Sequence, residues 1–322
     1  RLDQRQVEQS VITRHVPPDG SIRPQPIMYR YPLPGDEHVA MAEYIIIDVE
    51  SGEITPLDTP PEPYQFYYPD GCKFAKWTDD SQQLFFLKEE RGFQKASLWA
   101  ADVKTGKTRQ ILEEQSKTFI QVTWNLYGAP NIPIIDNGKE VVWFSQRDGW
   151  AHLYLYDGEK GELKRQITSG AWVVREILGA YDRWVYFTAG GTDPDDDPYV
   201  QQLFRAHLDS DALEQLSPGE FDHAVQMSPD GSLIIDGMSR VNLAPKFVLR
   251  GNDGGEIRIL EEGDVSELQA FGWRFPEPFS FKATDGVTDL YGAIYFPTDF
   301  DPEKSYPIVE MNYPGPQVIR TP

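Results

Sequence analysis

The segment Leu98-Trp99-Ala100-Ala101-Asp102-Val103-Lys104-Thr105-Gly106-Lys107 carries the unit from which the fold can be read. An apolar, aromatic run enters a turn whose Asp can bond back to the backbone and whose Gly can take positive φ, and a second short strand leaves it. That is a hairpin. Four more segments follow the pattern: Tyr44-Ile-Ile-Ile-Asp48-Val-Glu-Ser-Gly52-Glu, Leu153-Tyr-Leu-Tyr-Asp157-Gly-Glu-Lys-Gly161-Glu, the looser Leu203-Phe-Arg-Ala-His-Leu208-Asp-Ser-Asp211, and Phe247-Val-Leu-Arg-Gly-Asn252-Asp-Gly-Gly255-Glu. Asp48, Asp102 and Asp157 stand 54 and 55 residues apart, and Leu153, Leu203 and Phe247 continue the series at 50 and 44.

Upstream of the later hairpins lies a second turn-and-strand element. It reads Trp77-Thr-Asp-Asp-Ser81 before Leu84–Leu87, Asp136-Asn-Gly138 before Val141–Phe144, Tyr181-Asp-Arg183 before Trp184–Phe187, and Ser228-Pro-Asp-Gly231 before Leu233–Ile235. Two hairpins per repeat make four strands, and a period of about 50 residues is that of a four-stranded propeller blade. The sequence therefore predicts an all-β chain, with four-stranded antiparallel blades from about residue 40 to 272 and inner strands near Val141–Phe144 and Trp184–Phe187. A generic sandwich or barrel would share the turns without the repeat at blade length. No long helix is expected, and Gly106–Thr118 reads as strand plus loop. The repeat fades at both ends: Pro17–Pro24 is extended and irregular, Tyr29–Pro32 can be a strand, and a blade is expected to start before Arg1. Past Gly272 three apparent strands of different pattern follow.

The chain of 322 residues holds 51 Asp+Glu against 30 Lys+Arg, a formal charge of −21, which makes nucleic acid and anionic membrane surfaces poor partners. Aromatics at 13%, with 26 Gly and 26 Pro, fit many short strands separated by tight turns. Cys72 is the single cysteine, so no internal disulfide or CxxC chemistry is available. The longest apolar run, Tyr44–Ile47, is strand-sized, so no spanning helix is expected; a leader or anchor upstream of Arg1 could have been removed.

Catalytic groups are sparse. No Gly-x-Ser-x-Gly is present; Gly237-Met238-Ser239-Arg240-Val241 lacks the closing Gly that holds a nucleophile on a strained corner, so Ser239 reads as structural. His15, His38, His152, His207 and His223 are scattered through the repeats, and His152, placed just before a strand, reads as a hydrogen-bonded blade residue. The acidic run Thr192–Pro198 lacks the Gly and distal Glu of an EF-hand and reads as a solvated loop. Neither a metal nor another cofactor is expected.

At Phe144-Ser-Gln-Arg147-Asp-Gly-Trp-Ala-His152-Leu-Tyr154-Leu-Tyr-Asp the sequence resembles the dipeptidyl peptidase IV family of serine peptidases. The resemblance continues through Ile167–Val174, Trp184–Thr188, Leu216-Ser-Pro-Gly, Met227–Gly231, Ala283-Thr-Asp-Gly-Val-Thr-Asp-Leu-Tyr-Gly292, Pro297–Pro307 and Tyr313-Pro-Gly-Pro316. It implies the later four or five blades of an eight-bladed propeller over residues 1–272. Residues 273–322 would be a linker and the first strands of an α/β-hydrolase domain. The triad Ser, Asp and His would lie beyond Pro322 and the substrate-binding glutamate pair before Arg1, so the chain alone is expected to be inactive. It further implies that Tyr313 is an oxyanion donor, against the reading that it only covers the end of a core strand, and that Trp124 and Tyr127 line an extended substrate pocket, against the reading that both rings pack between blades; the substrates it implies are peptides with Pro or Ala second. A homodimer and a periplasmic or extracytoplasmic location belong to the same set of expectations. Two departures are Ala151, where relatives often carry Arg, and the unusual continuation Gln317–Pro322. A partner-binding propeller scaffold or an inactive peptidase relative is the alternative, and the hydrolase-like segment argues against it.

Overall fold

The structure is a computed structural model that describes residues 1–64, 74–124, 128–194, 197–217, 219 and 221–312. Four consecutive four-stranded antiparallel sheets account for most of it, each a meander in chain order. Sheet I comprises Ala75–Trp77, Gln83–Glu89, Lys95–Asp102 and Thr108–Gln115; sheet II, Ile134–Ile135, Glu140–Ser145, His152–Asp157 and Leu163–Gln166. Sheet III comprises Val173–Tyr181, Trp184–Gly190, Gln201–His207 and Leu213–Gln215; sheet IV, Asp222–Met227, Leu233–Arg240, Leu243–Gly251 and Glu256–Glu262. Each strand pair expected from the repeats is present. Among the described residues the only α-helix is Ser266–Ala270.

The chain divides into two units. One holds Arg1–Ile120 with the turns 136–139 and 158–162; the other holds Gln121–Ile135, Glu140–Asp157 and Leu163–Pro322. In the first unit the turn chemistry works as the sequence suggests. Asp102 accepts from the N–H groups of Lys104 and Thr105 at 3.1 and 2.8 Å, and Gly106 takes φ +68°. Gly138, at φ +93°, leaves room for the Phe85 ring, since a Cβ there would sit 2.7 Å from it.

The first repeat departs from expectation. Ile45–Ile47 and Ile54–Pro56 do pair, but as a two-stranded sheet, while Met41–Ala42 and Glu62–Pro63 join Leu2–Asp3 in a separate three-stranded one. Pro56, Pro60, Pro61 and Pro63 remove amide donors where a longer ladder would have to grow. Gln9–Arg14 pairs with Gln25–Arg30, which lengthens the strand expected near Tyr29.

In the second unit the core explains why antiparallel strands read as continuous apolar runs. Val185, Phe187 and Ala189 pack with Val142, Phe144, Leu153 and Leu155 of sheet II, while Tyr186 turns to Val225 and Ile234 of sheet IV. Alternate residues thus enter two different cores, and a strand buried on both faces shows no polar alternation. Fully burying a side chain such as Phe187 contributes roughly 2–3 kcal/mol.

After sheet IV, Glu277–Lys282 and Asp289–Ile294 form a hairpin. Among the described residues the third apparent strand of the tail forms no ladder. Residues 306–312 join no ladder, and Ile308, Val309 and Met311 are 85–93% exposed, because no neighbouring strand among the described residues offers its backbone groups.

Candidate functional site

Strand direction sorts the connections of sheets III and IV into two classes. At one end lie the turns 182–183, 208–212, 228–232 and 252–255; at the other lie the connections 191–200, 216–221 and 263–276 together with the tight turn 241–242. The tip of sheet II, 146–151, stands at the second end, where the Val174 N–H donates to the Ala151 carbonyl at 2.8 Å. Long loops on a rigid scaffold are where binding groups collect.

At that tip Arg147 packs over the Tyr154 ring at 4.3 Å, and it donates to the Ser145 and Tyr156 hydroxyls at 2.9 and 2.7 Å. Asp148 accepts from the Trp150 N–H and the Gln166 amide; although burial alone would raise its pKa, these donors hold it below the usual carboxylate range. The Gln146 side chain donates to the Gln121 carbonyl at 2.9 Å and ties down the loop that carries Trp124, which is half-buried three residues on. Tyr127 and Tyr313 lie outside the described residues, so of the expected site residues only Trp124 has a described position.

His152 is fully buried, as the sequence suggests. Its Nε2 donates to the Gly170 carbonyl at 3.0 Å, and the Thr168 hydroxyl, which already accepts from the Leu153 N–H, donates to Nδ1 at 3.0 Å. The Nε2 direction follows because a carbonyl can only accept, and the Nδ1 direction is that of the neutral ring. The Trp172 ring meets His152 edge-on at 4.9 Å and stacks in line with Phe187 and Phe204. Trp172 and Phe204 form the apolar wall of an open cleft of about 450 Å³, rimmed by Thr192, Asp193, Pro194, Leu213 and Gln215. Such a wall can receive an apolar side chain but holds no nucleophile.

A cluster that sequence reasoning missed lies inside sheet IV. Asp236, fully buried, accepts from His223 Nδ1 at 2.7 Å and from Arg250 Nε at 2.8 Å. Burial would raise the Asp236 pKa, but these partners outweigh it and lower it. The signal was available: an Asp inside the apolar run Leu233-Ile-Ile-Asp-Gly-Met238 has to be paired if it faces inward. With His223 and Asp236 at 1% and 0% exposure, no substrate reaches this pair, and its role is structural. Ser239 sits in a strand opposite Asp222, again a structural position. Among the described residues no group of three or more His, Cys, Asp or Glu side chains could hold a metal ion, and no helix is long and apolar enough to cross a membrane.

The hairpin Glu277–Ile294 meets the loop-rich end through Tyr291, whose ring lies edge-on to Tyr199 at 6.2 Å. Around it Arg274 stacks on Phe296 and Phe300 at 3.9 and 5.0 Å.

Mouse dipeptidyl peptidase 8 is 56% identical over 169 residues, covering 47% of this chain and 18% of that protein. A probable dipeptidyl-aminopeptidase B of Aspergillus oryzae is 23% identical over 328 residues, covering 93% of this chain and 34% of that protein. The chain thus spans about a third or less of these relatives. The crystal structure of Porphyromonas gingivalis dipeptidyl peptidase 4 superposes with a TM-score of 0.75 at 20% identity, over 95% of this chain and 41% of that one, which fixes likeness of fold. The sequence model of the dipeptidyl peptidase IV N-terminal region matches residues 1–245, and the chain belongs to that family.

Proposed function

We propose that this chain is the non-catalytic propeller portion of a dipeptidyl peptidase IV-like serine aminopeptidase that releases N-terminal X-Pro or X-Ala dipeptides. Residues 1–272 supply later blades, and residues 273–322 lead into an α/β-hydrolase domain that carries the triad. The blades gate and orient the peptide's amino terminus. Tyr313 donates to the oxyanion, and Trp124 and Tyr127 line the pocket beyond the scissile bond.

The observation that supports this most is the direction in which the chain leaves sheet IV. It exits at the loop-rich end and its next hairpin contacts loop 191–200 there through Tyr291 and Tyr199. A domain continuing from residue 294 therefore starts beside the loops that would select its substrate.

The test compares a free X-Pro chromogenic dipeptide with its N-acetylated form, using the complete gene product. Cleavage of the free form alone is expected, because an oriented ammonium is required. Equal cleavage of both would overturn the orienting role, and no cleavage of either would overturn the peptidase assignment.

A further inference from the structure

Arg175 is a cation with unspent hydrogen-bonding capacity at the loop-rich end. It lies on Val173–Tyr181, the edge strand of sheet III, where a β-bulge opposes Arg175 and Glu176 to Thr188. The Glu176 N–H donates to the Thr188 hydroxyl at 3.1 Å in place of a ladder bond. Bulges of this kind re-aim side chains beside functional sites. Here the guanidinium is laid over Gly190, where a Cβ would come within 3.4 Å of two of its nitrogens.

Among the described residues the guanidinium's only hydrogen bond is a long one, 3.4 Å from Nη2 to the Pro198 carbonyl. Its Nε is shut off from solvent without a partner, while Nη1 has no partner and keeps solvent access. A guanidinium offers five donors in a fork matched to a carboxylate, so this one is far from satisfied. No carboxylate forms an ion pair with it among the described residues. Asp222, on the neighbouring edge strand of sheet IV, acts on it only through space, and its Oδ1 already accepts from the Gln201 N–H at 2.8 Å. Burial pushes the Arg175 pKa down and the Asp222 pKa up, as expected of two charges that do not neutralise one another at contact.

We infer that Arg175 is a binding site for a carboxylate of the peptide ligand, received on its terminal nitrogens beside Pro198 and Tyr199. This deepens the peptide reading above by adding a preference for a ligand that carries a negative charge. In a chain of net charge −21, a half-buried guanidinium with no ion pair among the described residues is a place where such a group would be favoured.

The test is calorimetric titration of the 322-residue chain with Ala-Pro-Ala, Ala-Pro-Glu-amide and Ala-Pro-Ala-amide. At least one carboxylate-bearing peptide is expected to bind ~10- to 100-fold tighter than the neutral amide, the range of a charge-assisted contact. Which acid binds better tells a terminal from a side-chain carboxylate. Arg175→Gln should erase the difference without moving the melting temperature. Asp222→Asn, which keeps an acceptor for the Gln201 N–H but removes the competing charge, should strengthen carboxylate binding several-fold. Equal binding of all three peptides, or a preference that survives Arg175→Gln, would overturn the inference. Because binding is read on this chain, a complete enzyme that cleaves X-Pro without this preference refutes only the carboxylate site. A preference without cleavage refutes only the peptidase assignment.

Discussion

Asp236→Asn tests how sheet IV is held together. The wild-type carboxylate accepts from His223 Nδ1 at 2.7 Å and Arg250 Nε at 2.8 Å, with all three side chains in the interior. Asn has one acceptor oxygen, so its amide group must face one of two donors, and the Arg250 charge is left in the core without a counter-charge. Each charge-assisted bond is worth about 1.5–3 kcal/mol, and breaking a buried pair from one side costs about 3–5 kcal/mol. We expect a loss of at least ~3 kcal/mol at pH 7, read by urea denaturation with tryptophan fluorescence. The pH dependence follows from the sign of the shift. The Asp236 pKa is lowered in the folded state, so its contribution is fully present above the unfolded carboxylate value, about 3.9, and is lost as pH falls through the folded value below that. The gap between wild type and variant should therefore close as pH falls below about 3.9. The double variant Asp236→Leu/Arg250→Met, which removes both charges, should recover part of the loss. A single-variant cost under about 1 kcal/mol at pH 7, or a gap that stays unchanged in strong acid, would refute the argument.

Other outcomes follow from the same structure. Gly231→Ala places a Cβ 2.2 Å from the Tyr181 ring at φ +71° and should cost well over 1 kcal/mol, whereas Gly20→Ala at φ +75° meets no atom within 4 Å and should show only the strain of its φ, of order 1 kcal/mol; equal melting shifts would contradict this. In the complete enzyme Tyr127→Ala should change substrate preference more than melting temperature, and a pure stability loss would assign the ring to packing. Tyr313→Phe there should lower turnover about 100- to 1,000-fold with melting unchanged, and near wild-type turnover would end its assignment as an oxyanion donor.

The hairpins were legible because their turns are local chemistry: an Asp that caps its own backbone and a Gly at positive φ mark the reversal at Asp102 and Gly106, while Ser81 and Arg183 take positive φ without a glycine. The runs Val141–Phe144 and Trp184–Phe187 announced strands buried on both faces. Long-range competition was not legible. The prolines from Pro56 to Pro63 divide the first repeat into small sheets, and the apolar residues 306–312 look strand-like yet find no ladder. Of the candidate site, His152 was read correctly as a hydrogen-bonded blade residue, although its partners Thr168 and Gly170 lie on the other side of the next strand. The partners of Asp236 depend on strand register, although an Asp inside an apolar run signalled that it had to be paired, and Arg175 depends on a bulge that no residue spacing declares.

The central claim is that this chain is the substrate-selecting portion of a peptidase and carries none of its catalytic triad. It is tested most directly by assaying the purified 322-residue chain beside the complete gene product on an X-Pro chromogenic dipeptide. The account predicts that the chain reads as buffer does while the complete product cleaves. Turnover by the chain itself, persisting after contaminants are removed, or a complete product as inert as the chain, would contradict it.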